Sequence, residues 1–185
     1  MQREPIIKKF IKGFGYMFFG NILSGIMVIS TAPFISVWFV SLVAQLLTFL
    51  IYTSLMFTAG FRDGQRECQL LKNHRVESVP KYTWIVLGLI LWAIMCIPIV
   101  ILMLGMNGVL TITGEYMFIY RFICGTAAPL IYIGELTAAG VAEYPLWLPI
   151  ASMAVYLIST PLAAHIGYRF GIDEDKQRSF MYDKK

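Results

Sequence analysis

The sequence predicts an all-α, polytopic membrane protein with four transmembrane helices in two helical hairpins, plus an interfacial or re-entrant helix on the outer side. Two observations lead to this fold class. Of the 185 residues only 14% are charged and 58% are hydrophobic, whereas a soluble domain carries roughly 25% charged residues. The charges are also clustered, which leaves runs without Asp, Glu, Lys or Arg at 13–61, 82–114 and 144–168. A span takes about 20 apolar residues, so the first run accommodates two spans and each of the others one.

The distribution of basic residues predicts the orientation of these spans. All Lys and Arg residues except Arg121 fall in the N-terminal tail, in a central loop or after the last apolar run. Cytoplasmic loops of membrane proteins carry an excess of Lys and Arg, so these three regions and both termini are expected in the cytoplasm. The net charge of +4 is therefore a topology signal. We expect contact with the headgroups of the lipid bilayer and no nucleic-acid partner.

The first hairpin is predicted from spans at 14–31 and 34–60. Residues 1–12 mix basic and apolar side chains and are expected to lie along the inner interface before the first span. This beginning is similar to a signal peptide, but its apolar part is longer than an ordinary signal core, so we expect an uncleaved span. Ala32 and Pro33 form the turn, because proline disfavours helix at the residue before it.

The second hairpin is predicted from two further spans, both of which contain proline, and proline bends a helix. Such bends are expected at Pro98, Pro149 and Pro161. After the first hairpin, the sequence predicts a cytoplasmic loop at 61–81, the third span at 82–104 and an outer segment at 105–145. The fourth span follows at 147–168, and a cytoplasmic tail at 169–185. The whole chain, 1–185, is then one transmembrane domain.

The outer segment contains a stretch at 116–134 that is apolar enough to be considered as a fifth span. However, Arg121 and Pro129 lie within it, and arginine at mid-membrane costs roughly 2.5–3.5 kcal/mol. A fifth crossing would also place the basic C-terminal tail on the outside. An interfacial or re-entrant helix is therefore favoured, and the fifth span is the alternative.

A short pattern, Gly–aromatic–Arg–x–Gly, occurs where the second and fourth predicted spans leave the membrane on the inside. Aromatic rings suit the headgroup level, arginine suits the lipid phosphates, and glycine ends a helix. The pattern indicates either two copies of one hairpin unit or the same interface physics acting twice. The residues of these interface motifs are Gly60, Phe61, Arg62 and Gly64, and Gly167, Tyr168, Arg169 and Gly171.

Few polar side chains lie within the predicted spans. His165 is the only ionisable one and is expected near the inner interface. Asn21 and Gln45 are expected to hydrogen-bond to neighbouring helices, each bond contributing about 0.6–2 kcal/mol, with a pore lining as the alternative. By depth, Asn21 should lie level with Tyr52 and Thr53 rather than with Gln45.

Small residues at four-residue spacing predict close helix packing. The predicted helix-packing seam on the last span is Ser159, Ala163 and Gly167, and Gly20 and Ser24 form a shorter one on the first span. These seams indicate either packing within the chain or contact with a partner or second copy.

One charged constellation is expected on the outer side, formed by Arg121, Glu115, Glu135 and Glu143. Its simplest interpretation is an ion pair that ties the outer helix to its loop. The alternative is a ligand site that binds an anion at Arg121. The spacing of the carboxylates matches no metal or acid–base motif.

Cys68, Cys96 and Cys124 fall in a cytoplasmic loop, in a span and towards the outer side, so neither a disulfide nor a metal cluster is expected. The sequence also contains no phosphate-binding loop, HExxH, GxSxG, CxxC or dinucleotide fingerprint. We therefore expect no enzyme activity and no cofactor.

Two stretches resemble small uncharacterised four-span membrane proteins of Gram-positive, Clostridia-type bacteria. They read GFRDGQRECQLLKNHRVESVPK from Gly60 and HIGYRFGIDEDKQRSFMYDKK from His165. The acidic run in the second stretch departs from the more neutral tails of those proteins. The resemblance implies the four-span plan and the plasma membrane of a bacterium, and it implies no function.

The functional hypothesis is a non-catalytic integral membrane subunit, an accessory or scaffold component of a larger membrane complex or of a homo-oligomer. Its partners would be other membrane subunits or copies of itself. The alternative is a small oligomeric transporter or channel component with a gate near Arg121. An enzyme acting on lipid through Glu115 or Glu135 is a distant third.

Overall fold

The computed structural model describes residues 4–34, 37–137 and 144–173. These residues form helices and, within the described ranges, no β-strand. Four helical segments are long and apolar enough to cross a membrane: Ile6–Thr31, Trp38–Lys72, Thr83–Met106 and Trp147–Ile172. The predicted all-α polytopic fold with four spanning helices is confirmed.

The helices follow one another with short connections. In chain order they are α1 (Ile6–Thr31), α2 (Trp38–Lys72), α3 (Thr83–Met106), α4 (Gly114–Ile123), α5 (Ala128–Thr137), α6 (Trp147–Leu157) and α7 (Ala163–Ile172). A 3₁₀ turn at Ala32–Phe34 follows α1, and a π-helical turn at Ile158–Leu162 joins α6 to α7 in one rod. Helix α1 packs on α2, and α3 packs on the α6–α7 rod.

The first helix begins earlier than predicted. Helix α1 is continuous from Ile6, so the described part of the expected interfacial lead-in belongs to the first span. The reason is the face that Lys9, Gly13 and Met17 share, all three being buried. A Cβ on Gly13 would lie 3.0 Å from Leu91, so this part of α1 packs against α3 rather than lying flat on a lipid surface.

The second helix ends later than predicted. Helix α2 has 35 residues, about 52 Å at 1.5 Å per residue, which exceeds a hydrocarbon thickness of about 30 Å. The first part of the loop predicted at 61–81 is thus part of this helix, which continues to Lys72. One face of the extension is buried, including Asp63, Gly64 and Glu67, so the extension packs within the bundle. We call this end of the bundle, which also carries Lys12, the basic end, and the opposite one the far end.

Residues 116–134 do not form one continuous helix. Helices α4 and α5 have ten residues each, about 15 Å apiece, and a turn at 124–127 separates them. Neither helix is long enough to cross a bilayer. The alternative of a fifth span therefore does not fit these residues.

The two short helices form a hairpin that enters the bundle from the far end. At its turn, a Cβ on Gly125 would clash with the backbone of Asn21 and Gly25 in α1. Beyond the turn, Ala128 packs against Val28, closer to the far end of α1. The chain thus descends along α4 and returns along α5, so it follows the re-entrant form of the prediction.

The two Gly–aromatic–Arg–x–Gly motifs pack against each other. A Cβ on Gly60 would clash with the carbonyl of Ala164, and one on Gly64 with the carbonyl of Tyr168. The contacts advance along both helices in the same direction, from Gly60 with Ala164 to Gly64 with Tyr168, so α2 and α7 run parallel. Glycine is required here because the two backbones touch.

The contact between these helices is reciprocal. A Cβ on Gly167 would clash with the carbonyl of Phe57, and one on Gly171 with the carbonyl of Phe61. In each case the glycine of one motif meets the carbonyl three residues before the matching glycine of the other. The motifs are therefore related by a local twofold arrangement. Their glycines pack helices and do not end them.

The proline expectations have different outcomes. Pro161 lies in the π-helical turn, and a Cβ on Gly88 would clash with it, so the irregular turn allows α3 to approach closely. Pro149 lies in the first turn of α6, where a missing N–H breaks no helical hydrogen bond. Pro98 lies inside α3, which continues on both sides of it as one helix, and the bend expected there stays a prediction.

Candidate functional site

A cluster of buried charges lies near the basic end, between α1 and α2. The Nζ atom of Lys9 is 2.8 Å from Oδ2 of Asp63 and 2.7 Å from Oε1 of Glu67. None of the three side chains is more than 5% exposed. We call these three residues the charged cluster. It holds one more acid than base.

Two aromatic residues complete the surroundings of the charged cluster. Trp84 of α3 donates a hydrogen bond from Nε1 to Oδ2 of Asp63, at 2.8 Å. The ring of Tyr168 in α7 has its centroid 6.0 Å from Nζ of Lys9, and its hydroxyl donates to the carbonyl of Pro80. The charged cluster therefore joins all four long helical segments. Tyr168 is fully buried, so its ring contacts other side chains of the bundle, and the headgroup level that its motif suggested stays a prediction.

The charged cluster was not predicted from the sequence, because Lys9 was placed in the interfacial segment 1–12 and both acids in the cytoplasmic loop 61–81. A signal was present. Asp63 and Glu67 are four residues apart and so share a helix face with Gly64, and Lys9 stands four residues before Gly13 on α1. A face that combines glycine with charge at this spacing indicates a buried ion pair as well as a solvated surface.

A second ionic layer lies outside the charged cluster and is more exposed. Nζ of Lys12 donates to both carboxylate oxygens of Glu4, at 2.7 Å, and Arg66 pairs with the same carboxylate. Burial alone would raise the pKa of Glu4, but the hydrogen bonds and charges of Lys12 and Arg66 outweigh it, so its pKa lies below the usual value. This layer fixes the residues before α1 to α2.

A second polar region lies around the hairpin turn, and it contains no charge. The Oδ1 atom of Asn21 accepts three hydrogen bonds. Two come from the backbone N–H and the hydroxyl of Thr126, at 3.3 and 3.2 Å, and the third from the hydroxyl of Tyr156, at 2.6 Å. Asn21 Nδ2 in turn donates to the carbonyl of Met17. We call Asn21, Ser24, Thr48, Thr126 and Tyr156 the polar layer.

The remaining members of the polar layer attach the hairpin turn to α1 and α2. The carbonyl of Thr126 accepts hydrogen bonds from Nε2 of Gln45, at 2.9 Å, and from the hydroxyl of Thr48, at 3.2 Å. The hydroxyl of Thr126 also lies 3.3 Å from that of Ser24. The turn is thus bonded on both sides, which satisfies non-helical backbone away from water.

The expected depth of Asn21 agrees with its neighbours. Its neighbour Gly20 faces the ring of Tyr52, 2.9 Å from where a Cβ would lie, and Ser24, one turn further along α1, donates to the carbonyl of Thr48. The Asn21 amide bonds to Thr126 in the hairpin turn and to Tyr156 of α6, as expected for contacts with neighbouring segments, and the pore-lining alternative stays a prediction. Tyr52 itself is hydrogen-bonded to Thr160, at 3.0 Å.

Of the predicted outer constellation, the structure describes the side chains of Arg121 and Glu115 only. Arg121 lies in the last turn of α4 with its guanidinium 4.5 Å from the ring centroid of Tyr132 in α5. Glu115 is exposed in the first turn of the same helix, at its opposite end. The side chain of Glu135 and all of Glu143 lie outside the described residues. The expected ion pair with those two acids stays a prediction.

The seam on the last span is turned into the bundle. Ser159 and Ala163 are buried, and Gly167 contacts the backbone of α2. Gly20 and Ser24 likewise contact α2, through the ring of Tyr52 and the carbonyl of Thr48. Both seams therefore serve packing within the chain.

His165 and the basic residues of the two motifs lie at the edge of the bundle. His165 stacks on the ring of Tyr82, with centroids 6.3 Å apart. Arg62 is exposed and donates to the hydroxyl of Tyr16, and Arg169 is exposed. Phe61 stacks on Phe57 of the same helix.

The three cysteines are free thiols in different places. Cys68 is buried in the extension of α2, and Cys96 is half-buried in α3. Cys124 was expected towards the outer side, but it is buried at the hairpin turn. The turn carries it into the core. Among the described residues, no group of three or more His, Cys, Asp or Glu is arranged to hold a metal ion.

Comparison with protein-family models, with curated proteins and with solved structures finds no match to this chain.

Proposed function

We propose that the chain is a non-catalytic integral membrane subunit, an accessory or scaffold component of a larger membrane complex or of a homo-oligomer. It would lie in the plasma membrane of a bacterium with the basic end in the cytoplasm, since cytoplasmic segments carry the excess of Lys and Arg. The observation that carries the proposal is how the polar groups of the interior are used. Those of the polar layer bond mainly to one another and to nearby backbone groups.

The interior is therefore occupied by packing that fixes one arrangement of the helices. The parallel contact of α2 with α7 at Gly60 and Gly167 allows no side chain between the backbones. The charged cluster and the polar layer then tie α1, α2 and the hairpin together. A membrane protein that uses its interior in this way has its lateral surface left for specific interactions.

That surface contains a notch suited to another helix. Gly15 of α1 has no atom within 4 Å of the position of a Cβ, and Lys12, Tyr16 and Phe19 border it. Glycine inside a helix costs about 1 kcal/mol relative to alanine, and small residues allow a second helix to approach closely. We place the contact with a partner subunit or a second copy at this notch.

The test is association of the full-length chain in nanodiscs extracted directly from native membranes. We expect wild type to be recovered with a partner or as an oligomer by native mass spectrometry and crosslinking. Gly15→Leu fills the notch and should lower the recovered complex by about tenfold, which corresponds to about 1.4 kcal/mol. Gly114→Leu is the matched control, since a Cβ at Gly114 also meets no atom within 4 Å. Wild type recovered only as a lone monomer contradicts the proposal.

A small oligomeric transporter or channel component is the second candidate, and the re-entrant hairpin favours it. Short helices that end inside the bilayer place helix termini near substrate in many transporters. Proteoliposomes with the wild-type chain would then show ion or solute flux that protein-free liposomes lack. Arg121→Ala, at the predicted gate, should abolish the flux, whereas Gly114→Leu should preserve it. Flux that is equal in wild type and Arg121→Ala excludes this role for Arg121.

A further inference from the structure

A groove on the side of the bundle, towards its far end, lies between α1 and the re-entrant hairpin. Val28 and Ile29 form one wall, and Phe118 and Phe122 of α4 form the other. Its volume is about 210 Å³. Ile29 and Phe118 are more than half exposed, so the groove opens sideways from the bundle, where the hydrocarbon of a membrane would lie.

Arg121 gives this apolar groove a positive charge. It is half-buried, and its guanidinium lies against the ring of Tyr132, which also lines the groove. No other Lys or Arg occurs between Lys81 and Arg169. A cation at this position is therefore a specific feature of the groove rather than part of a general basic surface.

The depth of Arg121 brings its side chain within reach of the lipid headgroups. A Cβ on Gly25 would lie 3.7 Å from the carbonyl of Arg121, and α1 ends six residues later at Thr31, about 9 Å away along the helix. Long arginine side chains extend to the interface from such depths. Tyr132, which lies on the return helix, supports the guanidinium along that path.

We propose that this groove binds an anionic glycerophospholipid from the leaflet at the far end, with its phosphate on Arg121 and the start of an acyl chain between α1 and α4. Guanidinium binds phosphate through two parallel hydrogen bonds, and the apolar walls match an acyl chain. A groove of this size holds only part of a lipid, and the remainder lies in the bilayer. The site is independent of the proposed subunit role, because it requires no second protein.

The test compares lipids that share acyl chains and differ in the headgroup. Native mass spectrometry of the delipidated full-length chain, with added phosphatidylglycerol or phosphatidylcholine, measures both affinities. We expect phosphatidylglycerol to bind about fivefold more tightly, because one arginine near a membrane surface contributes about 1 kcal/mol towards anionic lipid. Arg121→Gln should remove this preference. Arg62→Gln, which removes an exposed arginine at the basic end, should keep it.

A second variant separates the groove from the charge. Gly25→Leu keeps Arg121 and fills the groove, and it should weaken the binding of both lipids. Equal binding of the two lipids to wild type overturns the proposal, as does an equal loss of preference in Arg62→Gln. Soluble glycerol phosphate that binds as tightly as the lipid would assign the site to a free phosphate instead, which also overturns it.

A measurement on wild type covers the case in which these variants do not fold. Phosphatidylglycerol with a photoreactive group near the start of its acyl chain should label Phe118, Phe122 or Ile29 in vesicles of equal parts phosphatidylglycerol and phosphatidylcholine. Labelling spread evenly over the exposed faces of α2 and α3 would contradict the proposal. Crosslinking of these positions to another protein in native membranes would show that a protein and not a lipid occupies the groove.

Discussion

The charged cluster and the polar layer both join α1 and α2 to the α6–α7 rod, but with different chemistry. Near the basic end, Lys9 is held by two carboxylates and is buried. At the hairpin turn, Asn21 makes its bonds with hydroxyl and backbone groups. A buried charge is strongly destabilising without its partner, whereas neutral hydrogen bonds within membranes average only about 0.6 kcal/mol. Charge is used near the basic end, and neutral groups are used at the hairpin turn.

The comparison predicts the largest loss of stability when the charged cluster is broken on one side. Lys9→Met removes the cation that contacts both Asp63 and Glu67, which stay buried. We expect it to lower the free energy of unfolding by about 3–5 kcal/mol, measured by reversible unfolding in mixed micelles.

The matched control is Lys8→Met, since Lys8 directly precedes Lys9 in α1 and its side chain is exposed. It should change the free energy of unfolding by less than about 0.5 kcal/mol. Replacing the whole charged cluster, as Lys9→Met with Asp63→Asn and Glu67→Gln, should recover most of the loss, because no charge then remains buried. A Lys9→Met protein as stable as wild type would show that the cluster is solvated.

The polar layer should lose less when its central residue is removed. Asn21→Leu leaves the N–H and hydroxyl of Thr126 and the hydroxyl of Tyr156 without their acceptor. Three bonds at the membrane average give a loss of about 2 kcal/mol in the same unfolding measurement. A loss as large as that of Lys9→Met would mean that the two regions are not energetically distinct.

A single bond of the polar layer should have a smaller effect. Tyr156→Phe removes the shortest of the three hydrogen bonds to Asn21 and keeps the aromatic contact with Tyr52, whose ring centroid is 5.4 Å away. We expect a loss of about 0.6 kcal/mol. If Tyr156→Phe and Asn21→Leu are equally destabilising, the other two bonds to Asn21 contribute nothing measurable.

The smallest effect is expected in the outer ionic layer and depends on pH. Because the pKa of Glu4 is lowered in the folded chain, its contribution to stability is present above the ordinary glutamate pKa of 4.5 and is lost as the pH falls through the folded value. A nitroxide at Ile7→Cys, an exposed position, should therefore become more mobile on acidification. Glu4→Gln should make it equally mobile at neutral pH. Mobility that is independent of pH in wild type contradicts this assignment.

The sequence was sufficient for the four spans, because uninterrupted apolar runs have few other uses. It was insufficient for the end of α2, because charge at Asp63 and Glu67 was taken to end the membrane helix. Charge ends a span only where it faces lipid, and these side chains face Lys9. The partner lies more than 50 residues away, so no local pattern reveals the pairing.

The re-entrant hairpin could be anticipated but not its position. Arg121, Pro129 and the basic C-terminal tail argued against a full crossing. What holds the turn in the bundle is the fit of Gly125 to Asn21 and Gly25 and the bonds of Thr126, which are contacts with α1 and α2. Such contacts depend on the relative depth of three segments, and hydrophobicity alone does not fix that depth to within one helical turn.

The reciprocal glycine contact has a consequence for biosynthesis. Gly60 and Gly167 are 107 positions apart, so the ribosome completes α2 long before its tightest neighbour exists. We expect the glycine face of α2 to remain exposed to lipid or to an insertion factor after α2 has entered the bilayer. It should pack only after α7 has been synthesised and inserted. Chains arrested after Leu157 should then remain sensitive to protease near Lys72, and protection appearing before α7 is made would show that another segment closes that face first.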